Sequence, residues 1–329
     1  MYDSLDKHCT DFHLYVFAFD DECYQFLASL QLKNLTAISL KQFEDEELLR
    51  VKPSRSDAEY CWTSTSSTIL FCLKNFNIDD CTYIDADMLF YSNPKVLIDE
   101  MNNKSVLITE HRYTKEYDQS ATSGRYCVQF MTFKNDAAGL KVLNWWRNAC
   151  IEWCYNRVED GKFGDQKYLD DWTTRFNGVH ELANLGGGLA PWNVQQYQFE
   201  IISNNISLNE ISSTKKFDAV FFHFHGTKFF SDKIVSFTSS NYTLSDTVQQ
   251  LFYKPYIKLL LAKQSEIEQI NKRLNSNGAT AKSPVQPISA KVILIYYLKD
   301  LKQSIANIFG KKLKKRIAHH YYFYLDDFK

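Results

Sequence analysis

With 329 residues, 45% hydrophobic and 23% charged, the chain can bury a substantial core and falls outside the disordered class. A net charge of −1 gives no general attraction for nucleic acid, which is therefore not an expected partner. Eight cysteines, none in a Cys-x-x-Cys pair and most inside apolar runs, read as reduced, buried thiols of a cytoplasmic protein. No charged-then-apolar leader opens the chain and no apolar run reaches about 18 residues. The expected location is the cytoplasm, at most against the inner face of a membrane.

Met1–His8 reads as the tail of a helix, and Phe12–Phe19 as a strand ending on Asp20-Asp21. A helix over Glu22–Leu32, a short strand over Thr36–Leu40 and a helical turn over Phe43–Val51 follow. Lys52–Tyr60 is a loop feeding a long helix that continues through Lys74. Arg55 lies in this loop, and a guanidinium there can grip phosphate with two bonds. An ordinary surface arginine or a helix-entry ion pair explains it equally well.

Cys81–Ile84 is short, apolar and β-prone, so it reads as a buried strand, and it ends on Asp85-Ala86-Asp87. Two carboxylates one residue apart at a strand's carboxyl end can turn toward one point, where open α/β sheets place their ligands. Hard oxygen ligands beside a diphosphate suit Mg²⁺ or Mn²⁺. A bare D-x-D triplet is weak evidence, because turns and helix caps produce many. Its weight here comes from the apolar strand before it and the aromatic turn Phe90–Pro94 after it, which reads as opening a helix.

Downstream, Lys95–Asn102 is helical and Ser105–Glu110 is a strand leading into a polar loop, Thr114–Arg125, of a length common in substrate-closing lids. Tyr126–Lys134 is a strand with Gln129 inside it. Leu140–Val158 is a long helix whose Trp145, Trp146 and Trp153 read as core. Gly161 and Gly164 precede Asp165-Gln166 and allow a close backbone approach, while Asp165 is also a good helix N-cap. After a short strand at Val179–Asn184, the run Gly186-Gly187-Gly188 suggests tight backbone around a ligand. It lacks the trailing Gly-Lys-Ser/Thr of a phosphate loop. Asn205–Ile211 and Ala219–Phe224 read as closing strands. The second of these ends in His223-Phe224-His225-Gly226-Thr227-Lys228, an imidazole and an ammonium beside one glycine turn. His225 is the alternative imidazole, because alternate strand residues face opposite sides.

The last part differs in character. Asn241–Glu268 reads as helical and Ser276–Ser289 as a linker. From Lys291 onward nine Lys and Arg stand against three Asp, with apolar stretches at Val292–Leu298 and Ile305–Phe309 and aromatics at Tyr321–Tyr324. Such a basic amphipathic tail can lie on an anionic bilayer. Docking on its own domain or on a second subunit is the equal alternative.

The strand–DxD–turn run, with the Asp-Gln and His-x-x-Gly elements after it, resembles nucleotide-diphospho-sugar glycosyltransferases of the GT-A fold, similar to glycosyltransferase family 8. The resemblance spans roughly Phe12–Phe230 and implies a Rossmann-like mixed sheet flanked by helices, with a C-terminal helical extension. It divides the chain into a catalytic domain at 1–235, a helical extension at 236–275, a linker at 276–290 and the basic tail at 291–329. Relatives of this type begin with a nucleobase-gripping strand that nothing in Met1–Asp11 supplies. By the resemblance, Asp85, Asp87 and His223 hold Mn²⁺ or Mg²⁺, and Lys228 reaches the diphosphate. Asp165 and Gln166 lie beneath the donor sugar, and Gln129 stands where the family carries an Asn-x-Gly contact. Phe229-Phe230 stand where the family has Pro-Trp. The implied function is transfer of a sugar from a nucleoside-diphosphate sugar, UDP-linked for preference, to a glycan or lipid-linked acceptor, as in cell-surface polysaccharide synthesis. The alternatives are a catalytically silent sugar- or nucleotide-binding partner of another glycosyltransferase and, with less support, a nucleotidyltransferase.

Overall fold

The computed structural model describes residues 1–203, 205–303, 313 and 317–329. The apolar stretch at Ile305–Phe309 and the basic residues Lys311, Lys312, Lys314, Lys315 and Arg316 lie outside the described residues. The chain packs as two compact units, Met1–Leu189 with Phe217–Phe222, and Ala190–Lys216 with His223–Lys329.

Seven strands of the first unit come from β-branched and aromatic runs. They are β1 (Leu14–Ala18), β2 (Leu35–Ser39), β3 (Asp80–Ile84), β4 (Met88–Phe90), β5 (Val106–Glu110), β6 (Tyr126–Lys134) and β7 (Val179–Glu181). Strands β1 and β2 make a parallel pair, Leu14 opposite Leu35. The main sheet runs β3-β6-β5-β7. Strand β6 lies antiparallel to both β3 and β5, and β7 is parallel to β5, so the sheet is mixed. The two-residue period sends alternate side chains to opposite faces. Val106, Ile108 and Met131 enter one apolar cluster, with Ile69, Leu73, Val142, Trp146 and Trp172. Leu107 and Phe130 enter another, with Met88, Phe90, Leu97 and Phe221. The protein is thus a mixed α/β fold with sheets flanked by helices, as the sequence indicates.

Two helices build the first of those clusters. Asp57–Asn75 starts on a capping box in which Ser56 and Glu59 satisfy each other's backbone. Ala137–Glu152 starts on Asp136, whose carboxylate accepts from the Gly139 N–H at 2.8 Å. That cap adds a turn ahead of the expected start at Leu140. The helix also ends earlier than Val158, because Trp153 is already extended, with φ −150°. Phe90, read as the start of the turn, is instead the last residue of the fully buried β4.

In the second unit β8 (Tyr197–Ile202) and β9 (Asn205–Glu210) form an antiparallel hairpin. After β10 (Lys216–Asp218) comes β11 (Phe221–His223), which lies beside β4 and carries the chain from the first unit into the second. Strands β12 (Lys228–Phe230), β13 (Ile234–Ser236) and β14 (Tyr322–Tyr324) form an antiparallel sheet, so the Tyr321–Tyr324 run returns to pair with β13. Aromatic stacking builds this core. Phe224 lies on Tyr256 at 3.7 Å, and Phe237 on Tyr253 at 5.2 Å. The helix expected from Asn241 begins after its Ser245 cap and runs, through a π-helical stretch at Gln249–Tyr253, to Ile270. Residues 276–289 hold no helix or strand, and a helix follows over Ala290–Gln303. Among the described residues no helix is long and apolar enough to cross a membrane.

Candidate metal centre

Strand β3 pairs with β6 up to Ile84 opposite Phe130, and the Asp85 N–H then donates to the Gln129 carbonyl at 3.1 Å. This last rung fixes where the chain leaves the sheet. Asp85, Ala86 and Asp87 form the turn before β4, and both carboxylates are half-buried. The Tyr83 hydroxyl donates to Asp85 Oδ1 at 2.8 Å and holds that carboxylate's orientation. Burial, then the Asp85 charge, pushes the Tyr83 phenol well above its ordinary range, so it acts as a donor throughout the working pH range. Tyr83 belongs to no motif in the sequence. Its signal was the strand period, which puts residues two apart on one face.

The far side of β4 is β11, held by the Tyr91 N–H donating to the Val220 carbonyl at 2.8 Å. Strand β11 ends on His223, which is 4% exposed and meets the Trp192 ring edge-on at 5.5 Å. Asp85, Asp87 and His223 each offer one ligand atom, and these atoms all lie within 4.8 Å of one another. The two-oxygen, one-nitrogen donor set suits a small divalent ion.

Asp165 is a buried carboxyl at 5% exposure. Burial, and then the charge of Asp85, pushes its pKa up to about 7, against weaker stabilisation by Thr65 and two backbone N–H groups. Trp146 Nε1 donates to its carbonyl at 2.9 Å and anchors the segment in the core. Gln166 donates through Nε2 to the Ser123 carbonyl at 2.6 Å. The Thr114–Arg125 loop is fastened to this same segment twice more, by Lys167 to the Ser120 carbonyl and by the Arg125 N–H to Asp170.

The other residues singled out in the sequence occupy other places. Gln129 is fully buried on β6, and its Nε2 lies 3.3 Å from where a Cβ on Gly188 would stand. Arg55 stacks on Tyr155 at 3.9 Å and donates to the Ile151 carbonyl. Together they line a surface groove of about 550 Å³ that also holds Glu47, Arg50 and Glu152. Lys228 is exposed at the start of β12, and His225 is exposed in the turn before it.

The three glycines serve close packing of the chain on itself. A Cβ on Gly186 would stand 2.1 Å from the Asp218 carbonyl, and one on Gly187 would stand 2.7 Å from Leu182. Gly188 has φ +109°. Arg112, unremarked in the sequence, caps this loop by donating to the carbonyls of Leu182, Asn184 and Gly187.

No family model matches the chain. Among solved structures it is similar to the glycosyltransferase GlyE of Streptococcus pneumoniae TIGR4, with 14% identity, a TM-score of 0.35 and coverage of 56% of this chain. It spans 42% of that chain, well under half its length. The galactosyltransferase LgtC, solved with donor and acceptor sugar analogues, matches with 13% identity and a TM-score of 0.36 over 58% of this chain and 69% of LgtC. In sequence, the chain is 29% identical over 266 residues to the uncharacterized protein YfnD of Bacillus subtilis (strain 168), covering 78% of this chain and 82% of YfnD. It is 31% identical over 239 residues to the uncharacterized protein YfnF of the same strain, covering 70% of this chain and 77% of YfnF. The chain belongs to the family of YfnF.

Proposed function

We propose that the chain is a metal-dependent glycosyltransferase, similar to family 8, that moves a sugar from a nucleoside-diphosphate sugar to a glycan or lipid-linked acceptor. The observation that carries this reading is the convergence of Asp85, Asp87 and His223 ligand atoms within 4.8 Å. These three residues would hold the divalent ion, and the imidazole nitrogen favours Mn²⁺ over Mg²⁺. Neutralising the charge of a departing diphosphate is the chemistry that such an ion supplies when bound. Tyr83 keeps Asp85 oriented as a ligand. Asp165 and Gln166 position the donor sugar, Gln129 is assigned a polar contact to it, and Lys228 and Arg55 are assigned to the phosphates. On this reading catalysis lies in 1–235, followed by the helical extension, linker and basic tail at 236–275, 276–290 and 291–329. The work is done in the cytoplasm, on UDP-linked donors.

A second reading, a silent sugar- or nucleotide-binding partner of another glycosyltransferase, draws on a different observation. Gln166 and Arg55 already donate to carbonyls of this chain, those of Ser123 and Ile151. Turnover separates the two readings. With Mn²⁺ and a panel of UDP-sugars, the purified chain is expected to release UDP, and Asp87→Ala to lower the rate about a hundredfold or more with its circular dichroism unchanged. Nucleotide binding without release would establish the silent partner. Equal rates in Asp87→Ala would remove the metal role.

A further inference from the structure

The helix Ala290–Gln303 shows solvent the face that ought to be hidden. Its sequence from Val292 to Leu298 is an unbroken apolar run. At 3.6 residues per turn, Val292 and Tyr296 share one side, and Ile293, Leu294, Tyr297 and Leu298 share the opposite side. Val292 is buried and Tyr296 half-buried, with its hydroxyl 3.2 Å from His320 Nδ1. The broad side is open. Ile293 is 38% exposed, Leu294 55%, Tyr297 40% and Leu298 50%. Ile295, at its margin, is also exposed. A helix docked on its own unit would bury the four-residue side and leave the two-residue side to solvent, and the reverse is seen here.

We propose that this stripe docks on an anionic lipid bilayer surface. Charge selects the occupant. The segment from Lys291 to the end carries nine Lys and Arg against three Asp, in a chain whose net charge is −1. Lys291, at the edge of the stripe, is exposed. Aliphatic side chains with a tyrosine among them and lysine at the border match the boundary between headgroups and acyl chains, and each added cation strengthens attraction to an anionic leaflet. A second copy of the chain fits less well. A stable dimer interface buries roughly 800 Å² per partner, more than one stripe of four half-exposed side chains supplies, and the excess of positive charge would repel itself. The inference does not depend on the glycosyltransferase reading.

The test is co-sedimentation of the full chain with vesicles of phosphatidylglycerol and phosphatidylcholine, and with vesicles of phosphatidylcholine alone. The expected result is binding to the mixed vesicles that weakens as salt rises and falls strongly on phosphatidylcholine alone. Leu294→Glu/Leu298→Glu, at exposed positions, is expected to lose binding more than tenfold while its circular dichroism and metal binding stay unchanged. Leu294→Ser/Leu298→Ser is expected to weaken binding less. A wild-type chain that stays in the supernatant, or both variants sedimenting as wild type does, would overturn the proposal. So would a wild-type dimer in light scattering that the glutamates convert to monomer, since the stripe would then belong to a second copy.

Discussion

Two helices of this protein reverse the simple rule that polar faces water and apolar faces core. In Asp57–Asn75 the run Thr63, Ser64, Thr65, Ser66, Ser67 and Thr68 is buried, none of it above 8% exposure. In Ala290–Gln303 the run Ile293, Leu294 and Ile295 is exposed. The difference lies in what each helix packs against. Asp57–Asn75 lies against the Ala137–Glu152 helix and the sheet, and small hydroxyl side chains let those surfaces approach closely. Several of these hydroxyls are bonded, while those of Ser64 and Ser66 are buried without a hydrogen-bond partner. Thr63 donates to the Glu59 carbonyl, Thr68 donates to the Thr65 carbonyl, and Ser67 accepts from Arg147 Nε at 3.0 Å. Thr65 also bonds the Asp165 carboxyl, so this polar face reaches the candidate site. Ala290–Gln303 presses on its own unit by a narrow edge, and its broad apolar side is left over.

The sharpest way to probe the buried face is through Asp165. Its folded pKa, about 7, lies above the ordinary 3.8, so the folded protein holds this proton more tightly than the unfolded chain. Stability is therefore lost as pH rises from about 4 through 7. Three units at 1.36 kcal/mol each put the full cost at about 4 kcal/mol. In EDTA, Asp165→Asn is expected to be the more stable protein at pH 8 by a large part of that amount, and to match wild type at pH 4. Urea denaturation at the two pH values reads this directly, and identical curves at pH 8 would contradict it. Next in size, Ser66→Leu places a larger side chain where nothing is exposed and is expected to cost about 1–3 kcal/mol by overpacking. The opposite exchange, Leu294→Ser, should change stability by no more than about 0.5 kcal/mol. If it destabilises as much as Ser66→Leu does, the two helices do not differ as described.

How much of this was legible follows the range of the forces involved. Strand β6 was readable to the residue, Tyr126–Lys134, because an unbroken β-prone run on a buried strand is a local signal. Asp85 and Asp87 stood out because spacing and strand context travel together in sequence. Their convergence with His223 depends on β11 lying beside β4, which no local pattern encodes. Strand β14 escaped notice for the same reason, since its partner β13 lies far back in the chain. The Gly186–Gly188 run was conspicuous, and the ligand it suggested gave way to Asp218 and Leu182, because a glycine's close neighbour can equally be the chain itself. Arg112 gave no sequence signal, because its bonds go to backbone carbonyls.

The central claim is that Asp85, Asp87 and His223 form a site for a divalent ion shared with a nucleoside diphosphate. Its most direct test is calorimetric titration of UDP and GDP into the purified chain, with and without Mn²⁺. The account predicts binding of UDP that requires Mn²⁺, disappears in Asp85→Ala/Asp87→Ala and weakens in His223→Ala. Binding of the same strength with EDTA present, or unchanged by the double substitution, would contradict it.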